Sequence, residues 1–252
     1  MTNRSTSDHD MVDDQVATRA HVSDDRMCSM SDAVGYTTLP CDHETPVADA
    51  LALKQDRVFL LTDRSGNIAP AGRCSLGLFE DDTRILSHYE LRGAGTRPVR
   101  LSAQIIQPFT ARIDLAVNDH AFGGDTWDPK HAIHLERELI VDDALIERLT
   151  LTNFLMRPID YWVELAVGCD FADIFELRGW KREARGQFFR PTVDDRTIRF
   201  AYRGRDDTMI HSAVCFHERP HELGPRGARW SFQLMPGVPV RLEWEVQSNH
   251  RQ

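Results

Sequence analysis

Five residues match the zinc-protease pattern H-E-x-x-H, namely His217-Glu218-Arg219-Pro220-His221. That pattern binds zinc when one face of a helix carries both imidazoles and places the glutamate beside the metal-bound water. Pro220 would interrupt such a helix, because its ring clashes with the preceding turn and it lacks a backbone N–H. We therefore predict a solvent-exposed loop between two strands, without a metal. A metal-dependent hydrolase using His217 and His221 is kept as an alternative that elemental analysis for zinc would test.

Three acidic residues, Asp170, Asp173 and Glu176, are grouped within one short segment. Glycoside cleavage uses two carboxylates across the scissile bond, so this group is a candidate for catalysis. The apolar residues of the segment have helical i, i+3, i+4 spacing, which predicts a helical turn or tight corner whose aromatic residues fill the core. The acids then lie opposite the apolar residues, where they suit a capping box at Asp170 and Asp173 and ion pairs better than catalysis. The apolar residues are Phe171, Ile174 and Phe175, and the arginines available for ion pairs are Arg84, Arg178 and Arg182.

Two further groups of side chains could bind a ligand. Residues 118–128 offer oxygen ligands in a glycine-containing loop, but the Asp/Gly order of a calcium-binding EF-hand loop is missing, so we predict a surface loop. Trp127 and Trp180 are candidate carbohydrate contacts, because an aromatic face packs against the C–H face of a sugar ring. The other three tryptophans, Trp162, Trp230 and Trp244, are predicted to lie in the core.

A histidine and a carboxylate that converge on a concave sheet face could also act on a sugar as general acid and base. His88, His131, His134 and His211 are the histidines that could supply such a pair. A small carbohydrate-active enzyme of the mutarotase type is therefore an alternative. It requires one of these histidines to lie beside a carboxylate in a cleft.

The elements that must position these residues are strands. From residue 57 onward apolar and polar residues alternate, as in Val240, Leu242, Trp244 and Val246. Polar turns separate many of these runs, and helical periodicity is nearly absent. The sequence predicts an all-β fold, an antiparallel β-sandwich of about eleven or more strands. The predicted strands are 57–62, 85–91, 99–106, 109–117, 133–141, 145–152, 159–167, 197–203, 208–216, 229–234 and 240–247.

Residues 1–50 differ in composition from the rest of the chain. They hold ten acidic and three basic residues, so they contribute −7 of the net charge of −9. They contain no Ile, Phe or Trp, which predicts a disordered acidic tail ahead of a sandwich domain over 51–252. The five cysteines form no C-x-x-C pair and no secretory signal precedes them, which predicts a cytoplasmic protein. The near-neutral body and the absence of a long apolar run predict no nucleic-acid binding and no membrane span, and no cofactor motif is present.

Several segments together resemble the N-terminal β-sandwich domain of bacterial glycogen debranching enzymes of the amylo-alpha-1,6-glucosidase type. The first is 63–70, and the second is 77–91, which reads Gly-Leu-Phe-Glu-Asp-Asp-Thr-Arg-Ile-Leu-Ser-His-Tyr-Glu-Leu. Segments 135–138 and 147–153 continue the resemblance, and 170–178 is its strongest part. The segments occur in the family's order and span about residues 55–247.

The resemblance implies a supersandwich that precedes an α-helical toroid of six helical hairpins. In such enzymes the acid/base carboxylates lie on the toroid, so the resemblance assigns no catalytic residue to this chain. It implies a non-catalytic domain whose partner is a helical toroid domain or subunit, or a second copy, with α-glucan as a further candidate ligand. The motif residues for which it implies a fold-fixing or interdomain role are Asp82, Thr83, Arg84, Asp170, Asp173 and Glu176.

Overall fold

The computed structural model describes residues 49–68, 75–117, 132–180 and 184–248, all within the unit Leu39–Gln252. Residues 1–48 of the predicted tail, the loop 118–128 with Trp127, and also His131 and Arg182, lie outside the described residues. The described residues confirm the predicted all-β class, because one helical turn is found among seventeen strands. Within these ranges no helix is long and apolar enough to cross a membrane.

Seventeen strands are found in the described part of the chain, where the sequence predicted about eleven or more, and most bounds differ by one or two residues in either direction. The predicted run 85–91 is divided at Ser87, and several short strands were missed. The elements are β1 (Leu51–Gln55), β2 (Val58–Thr62), β3 (Gly77–Glu80), β4 (Thr83–Leu86), β5 (His88–Gly93), β6 (Val99–Gln107), β7 (Thr110–Ala116), β8 (Ile133–Val141), β9 (Leu145–Asn153), β10 (Ile159–Gly168), α1 (Ile174–Leu177), β11 (Gln187–Phe188), β12 (Thr192–Val193), β13 (Thr197–Arg203), β14 (Met209–Phe216), β15 (Glu222–Gly224), β16 (Gly227–Leu234) and β17 (Val240–Ser248).

The described strands form three antiparallel sheets. The largest has nine strands in the order β11-β13-β14-β17-β9-β8-β7-β6, with β12 also paired to β13. One four-stranded sheet has the order β1-β2-β3-β4, and the other has the order β15-β16-β10-β5. Residues of β1 and β2 contact β8, and β4 contacts β14, so the first small sheet covers part of the large one. The second is joined to it by Trp230 of β16, whose ring stacks on Trp244 of β17 at 5.6 Å.

Alternation along the strands places one side-chain face of each sheet in a common core. In β8, for example, the odd-numbered residues Ile133, Leu135, Arg137, Leu139 and Val141 are buried, and the even-numbered ones are partly exposed. Trp230 and Trp244 are buried as predicted, but Trp162 is only half-buried. It lies on the outer face of β10, because the buried residues of that strand are the odd-numbered ones, and the Arg229 guanidinium lies 4.6 Å from its ring centroid.

An ion pair lies within this core. Arg137 of β8 and Glu147 of β9 are both fully buried, with Nε–Oε1 at 2.7 Å and Nη2–Oε2 at 3.0 Å. Arg137 Nη1 also donates to Ser65 O and Asn67 Oδ1, both at 2.7 Å, so it fixes the turn after β2. Tyr89 donates to Glu147 and accepts from Trp244 Nε1, and burial raises the pKa of Tyr89 well above its usual value. The network thus connects four of the segments on which the family resemblance rests, namely 63–70, 77–91, 135–138 and 147–153.

Candidate functional site

Two motif segments that are far apart in the sequence lie side by side in the structure. The backbone N–H of Arg84 donates to Ala172 O at 2.9 Å, and that of Ile174 donates to Asp82 O at 2.8 Å. Thr83 and Asp173 form an antiparallel bridge between these bonds. The chain from Asp170 to Trp180, which we call the α1 corner, is therefore attached to the start of β4.

A nearly buried ion pair anchors the first residue of the α1 corner. Arg84 Nε donates to Asp170 Oδ1 at 3.0 Å, and Arg84 Nη2 donates to Asp170 Oδ2. Arg84 Nη1 donates to Leu76 O at 3.0 Å, and Asp170 Oδ1 also accepts from Ala172 N at 3.2 Å. Because both charged groups have partners on two sides, the pair fixes the corner's position on the sandwich.

The other two acids of the group hold the helical turn. Asp173 is the N-cap of α1 and accepts from Phe175 N at 2.7 Å, which satisfies a backbone donor at the start of the helix. The predicted capping box with Asp170 as its first residue does not form, because Asp173 is the N-cap and Asp170 pairs with Arg84. Glu176 accepts from Arg185 Nε at 3.2 Å and from Nη2, and Arg185 is not among the predicted partners Arg84, Arg178 and Arg182.

Phe171 has a backbone conformation that is uncommon for a bulky residue, with φ at 47°. Its side chain is buried, and its ring lies 5.7 Å from that of Tyr202 and 6.4 Å from that of Phe188. Left-handed φ is unfavourable for a residue with a Cβ, so this conformation is kept only because the surrounding contacts determine it. The contacts of the Phe171 ring therefore fix the direction in which the chain enters the α1 corner.

The α1 corner presents apolar side chains outward. No residue of α1 is buried, and Ile174 and Leu177 are only partly covered. Phe175 is 50% exposed and Trp180 is 75% exposed, and their rings contact edge to face at 6.3 Å. This differs from the expectation that the aromatic residues of the segment fill the core: Phe171 does so, but Phe175 does not. The periodic spacing could not show this. It predicts which side chains share one face of the helical turn, but it does not predict whether that face meets the core or the solvent.

The arrangement of the acids is not that of a catalytic pair. Asp170 is engaged by Arg84, Asp173 caps α1 and Glu176 is engaged by Arg185. Asp82 is exposed at the turn between β3 and β4, and Thr83 lies in the bridge to Asp173. The α1 corner can therefore present a rigid apolar surface with Arg178 exposed beside it, and its carboxylates serve to hold that surface.

Two of the candidate histidines lie beside carboxylates. His134 Nε2 is 3.1 Å from Asp114 Oδ1, and Ser102 donates to the other oxygen of Asp114 at 2.6 Å. Because the carboxylate, and not the imidazole, is the central group, this arrangement does not activate the serine as a nucleophile. His134 and Asp114 lie on the outer face of the large sheet, and neither lines the shallow depression at Arg199 and His211 or the one at Trp162 and Phe232.

The second pair involves a nearly buried carboxylate. His88 Nε2 lies 3.5 Å from Glu90 Oε2, and Arg92 and Arg97 donate to Glu90 Oε1 at 3.0 and 2.6 Å. The contacts with His88, Arg97 and Arg92 hold the pKa of Glu90 far below its usual value, against the opposing effect of burial. A carboxylate that is surrounded in this way stays ionised and is a poor proton acceptor. His211 lines a shallow depression with Arg199 and Gln247, without a carboxylate among the residues that line it.

The segment that matches H-E-x-x-H connects strands and is not helical. It lies between β14 and β15, where His217 Nδ1 is 3.4 Å from Glu243 Oε1 and His221 Nδ1 accepts from Ser231 N at 3.2 Å. Among the residues that the structure describes, no three His, Cys, Asp or Glu side chains are grouped as metal ligands. The two histidines therefore have separate partners.

Solved structures of low sequence identity align with most of this chain. A putative kojibiose phosphorylase from the human microbiome aligns with a TM-score of 0.52 and 8% identity, over 81% of this chain and 30% of that protein. A putative aldose 1-epimerase from Escherichia coli K12 aligns at 0.45 and 8%, over 79% of this chain and 98% of that one. At these identities the likeness concerns the fold alone, and the chain spans less than a third of the phosphorylase.

Comparison of the sequence with family profiles identifies the family of this chain. No curated protein matches the chain. The profile of the N-terminal domain of (some) glycogen debranching enzymes matches residues 53–245, which include β2–β16, the buried Arg137–Glu147 pair and the whole α1 corner. The chain therefore belongs to the family of N-terminal domains of glycogen debranching enzymes.

Proposed function

We propose that this chain is a non-catalytic sandwich domain that docks an α-helical catalytic domain or subunit of a glycogen debranching, amylo-alpha-1,6-glucosidase-type glycoside hydrolase. The α1 corner forms part of the docking surface. The observation that carries the proposal is that ion pairs and a capping hydrogen bond hold the corner and leave Phe175 and Trp180 exposed. Family membership supports the class of partner.

Rigidity of the corner favours binding to a partner. Side chains that are already ordered lose little conformational entropy when an interface forms, so more of the contact energy contributes to affinity. The Arg84–Asp170 pair, the Asp173 cap and the Glu176–Arg185 pair restrict the corner before any partner binds.

The composition of the corner also suits an interface. Aromatic and arginine side chains are enriched at the centres of protein interfaces, and Phe175, Trp180 and Arg178 are exposed together here. An exposed Trp ring can equally stack on a sugar ring, so Trp180 is the proposed contact for α-glucan at the edge of the docked surface. The other candidate contact, Trp127, lies outside the described residues.

Calorimetric titration of the chain with a helical catalytic domain of the amylo-alpha-1,6-glucosidase type tests the proposal. We expect binding, and we expect the double variant Phe175→Ser/Trp180→Ser to weaken it at least tenfold. The matched control is Phe154→Ser/Met156→Ser, which removes two exposed apolar side chains from the loop before β10. That loop and the α1 corner flank opposite ends of this ten-residue strand, roughly 33 Å apart. Absence of binding by the unchanged chain, or equal loss in both double variants, would refute the proposal.

A further inference from the structure

The nine-stranded sheet ends in a long strand with an unusual surface. β6 pairs with β7 on one side only, and among the described residues its other edge has no neighbouring strand. Large apolar side chains are exposed along it: Leu101 by 56%, Ile105 by 54% and Ile106 by 53%. Ala103, between them, is partly buried against the core.

Proteins usually protect such an edge from pairing with other chains. The common devices are charged side chains, proline within the strand, short edge strands and bulges. β6 has nine residues, one charged side chain (Arg100) and no internal proline. Its two register shifts, between Arg100 and Ser102 and between Ile105 and Gln107, leave Leu101 and Ile106 without partners on β7. These bulges thus add apolar side chains to the surface. A protective bulge would instead twist the edge out of reach of another strand.

The chemistry of this edge indicates an extended chain as its partner. A strand edge carries backbone N–H and C=O groups in alternation, and another strand supplies the matching acceptors and donors. The backbone groups of a helix are already hydrogen-bonded within the helix. A sugar does not present donors and acceptors in a row at the spacing of a strand.

We propose that β6 pairs with β6 of a second copy of this chain, antiparallel about a two-fold axis near Ala103. Such pairing is isologous, so one patch supplies both sides of the interface. It places Leu101 of each copy opposite Ile105 of the other, so apolar side chains meet apolar side chains. The only charged residue, Arg100, is then roughly 20 Å from its equivalent, beyond the Debye length at physiological salt, so the two charges do not oppose pairing.

The proposed interface is small. Nine residues of strand from each copy bury less than the roughly 800 Å² per partner of a standard interface, which is typical of weak complexes, so we expect the dimer to dissociate on dilution. This surface lies on the terminal strand of the large sheet and does not include the α1 corner, so both surfaces can be tested separately.

Sedimentation velocity of the full chain between about 1 and 200 µM tests the proposal. We expect the sedimentation coefficient to rise with concentration from monomer to dimer, and Ile105→Lys to raise the dimer dissociation constant at least tenfold. Met156→Lys is the matched control, because it places the same charge on an exposed apolar residue of a distant loop, and it should leave dimerisation unchanged. Ile105→Lys should also leave binding of the helical catalytic domain unchanged, which separates this proposal from the proposed function.

Hydrogen exchange of the unchanged chain provides a second measurement that does not depend on how a variant folds. Exchange of the β6 backbone amides should slow as the protein concentration rises, whereas exchange in β9 at the centre of the sheet should stay constant. A monomer over the whole concentration range would overturn the proposal. So would an unaltered dimer in Ile105→Lys, or β6 protection that is independent of concentration, since the latter means that the chain covers its own edge.

Discussion

Replacing Asp170 by Ala should destabilise the domain, because the change removes the partner of a nearly buried arginine. The side chains of Arg84 and Asp170 are only 10% and 17% exposed. In Asp170→Ala the Arg84 guanidinium keeps its bond to Leu76 O but loses both carboxylate contacts, and Ala172 N loses its acceptor.

The expected loss follows from the burial of this pair. Removing one partner of a fully buried ion pair costs about 3–5 kcal/mol, and some contact with water lowers this to about 2–4 kcal/mol here. For a domain of this size that corresponds to a fall in Tm of about 4–16 °C. Exposed ion pairs contribute far less, so Asp195→Ala, which breaks contacts between side chains that are more than half exposed, should change the midpoint little.

Urea unfolding followed by tryptophan fluorescence measures both variants under the same conditions. A second comparison separates the charge effect from packing: Arg84→Met/Asp170→Leu removes both charges, and it should be more stable than Asp170→Ala alone. If Asp170→Ala unfolds at the same urea concentration as Asp195→Ala, or if the double variant is the less stable one, the reasoning about the corner's anchor is wrong.

Three further changes have defined outcomes. Glu147→Gln should lower the unfolding free energy by about 3–5 kcal/mol, because it leaves Arg137 charged and fully buried; a midpoint within error of the unchanged chain contradicts this. Glu90→Gln should destabilise the chain at pH 7. Because the folded-state pKa of Glu90 is depressed, its stabilisation is fully present above the unfolded pKa of about 4.3 and is lost progressively as the pH falls from there through the lower folded-state pKa. The difference between the urea midpoints of the two proteins should therefore shrink steadily from about pH 4 to about pH 2. A difference that is constant with pH would exclude this cause. Trp180→Ala should abolish retardation of the chain in glycogen-containing native gels, and unchanged retardation would remove Trp180 as the glucan contact.

Much of the fold could be predicted because it depends on local alternation. β8 and β13 have the predicted bounds, since apolar residues alternate along each and polar turns follow. The same periodicity places Arg137 on the face of Leu135 and Leu139, so the buried ion pair left a signal in the sequence. It was missed because a charged residue in an alternating run is ordinarily assigned to the solvent face.

The site depended on contacts that no local pattern contains. Arg84 was one of three arginines predicted as ion-pair partners of the acids, but it is 86 positions from Asp170, and only the path of β10 back to β4 selects this pair. Phe171 and Phe175 belong to the same i, i+3, i+4 pattern in the sequence, yet Phe171 fills the core and Phe175 is exposed. Their difference arises from the positive φ of Phe171, which turns the chain after β10. Positive φ is expected at glycine, so a phenylalanine in the sequence does not predict this turn.

Hydrogen exchange of the chain with and without an amylo-alpha-1,6-glucosidase-type helical catalytic domain tests docking through the α1 corner most directly. We predict that backbone amides from Ile174 to Trp180 exchange more slowly in the presence of the helical domain, whereas those of the loop 154–158 are unchanged. Slower exchange confined to other parts of the chain, or no change anywhere when the helical domain is in excess, would contradict the account.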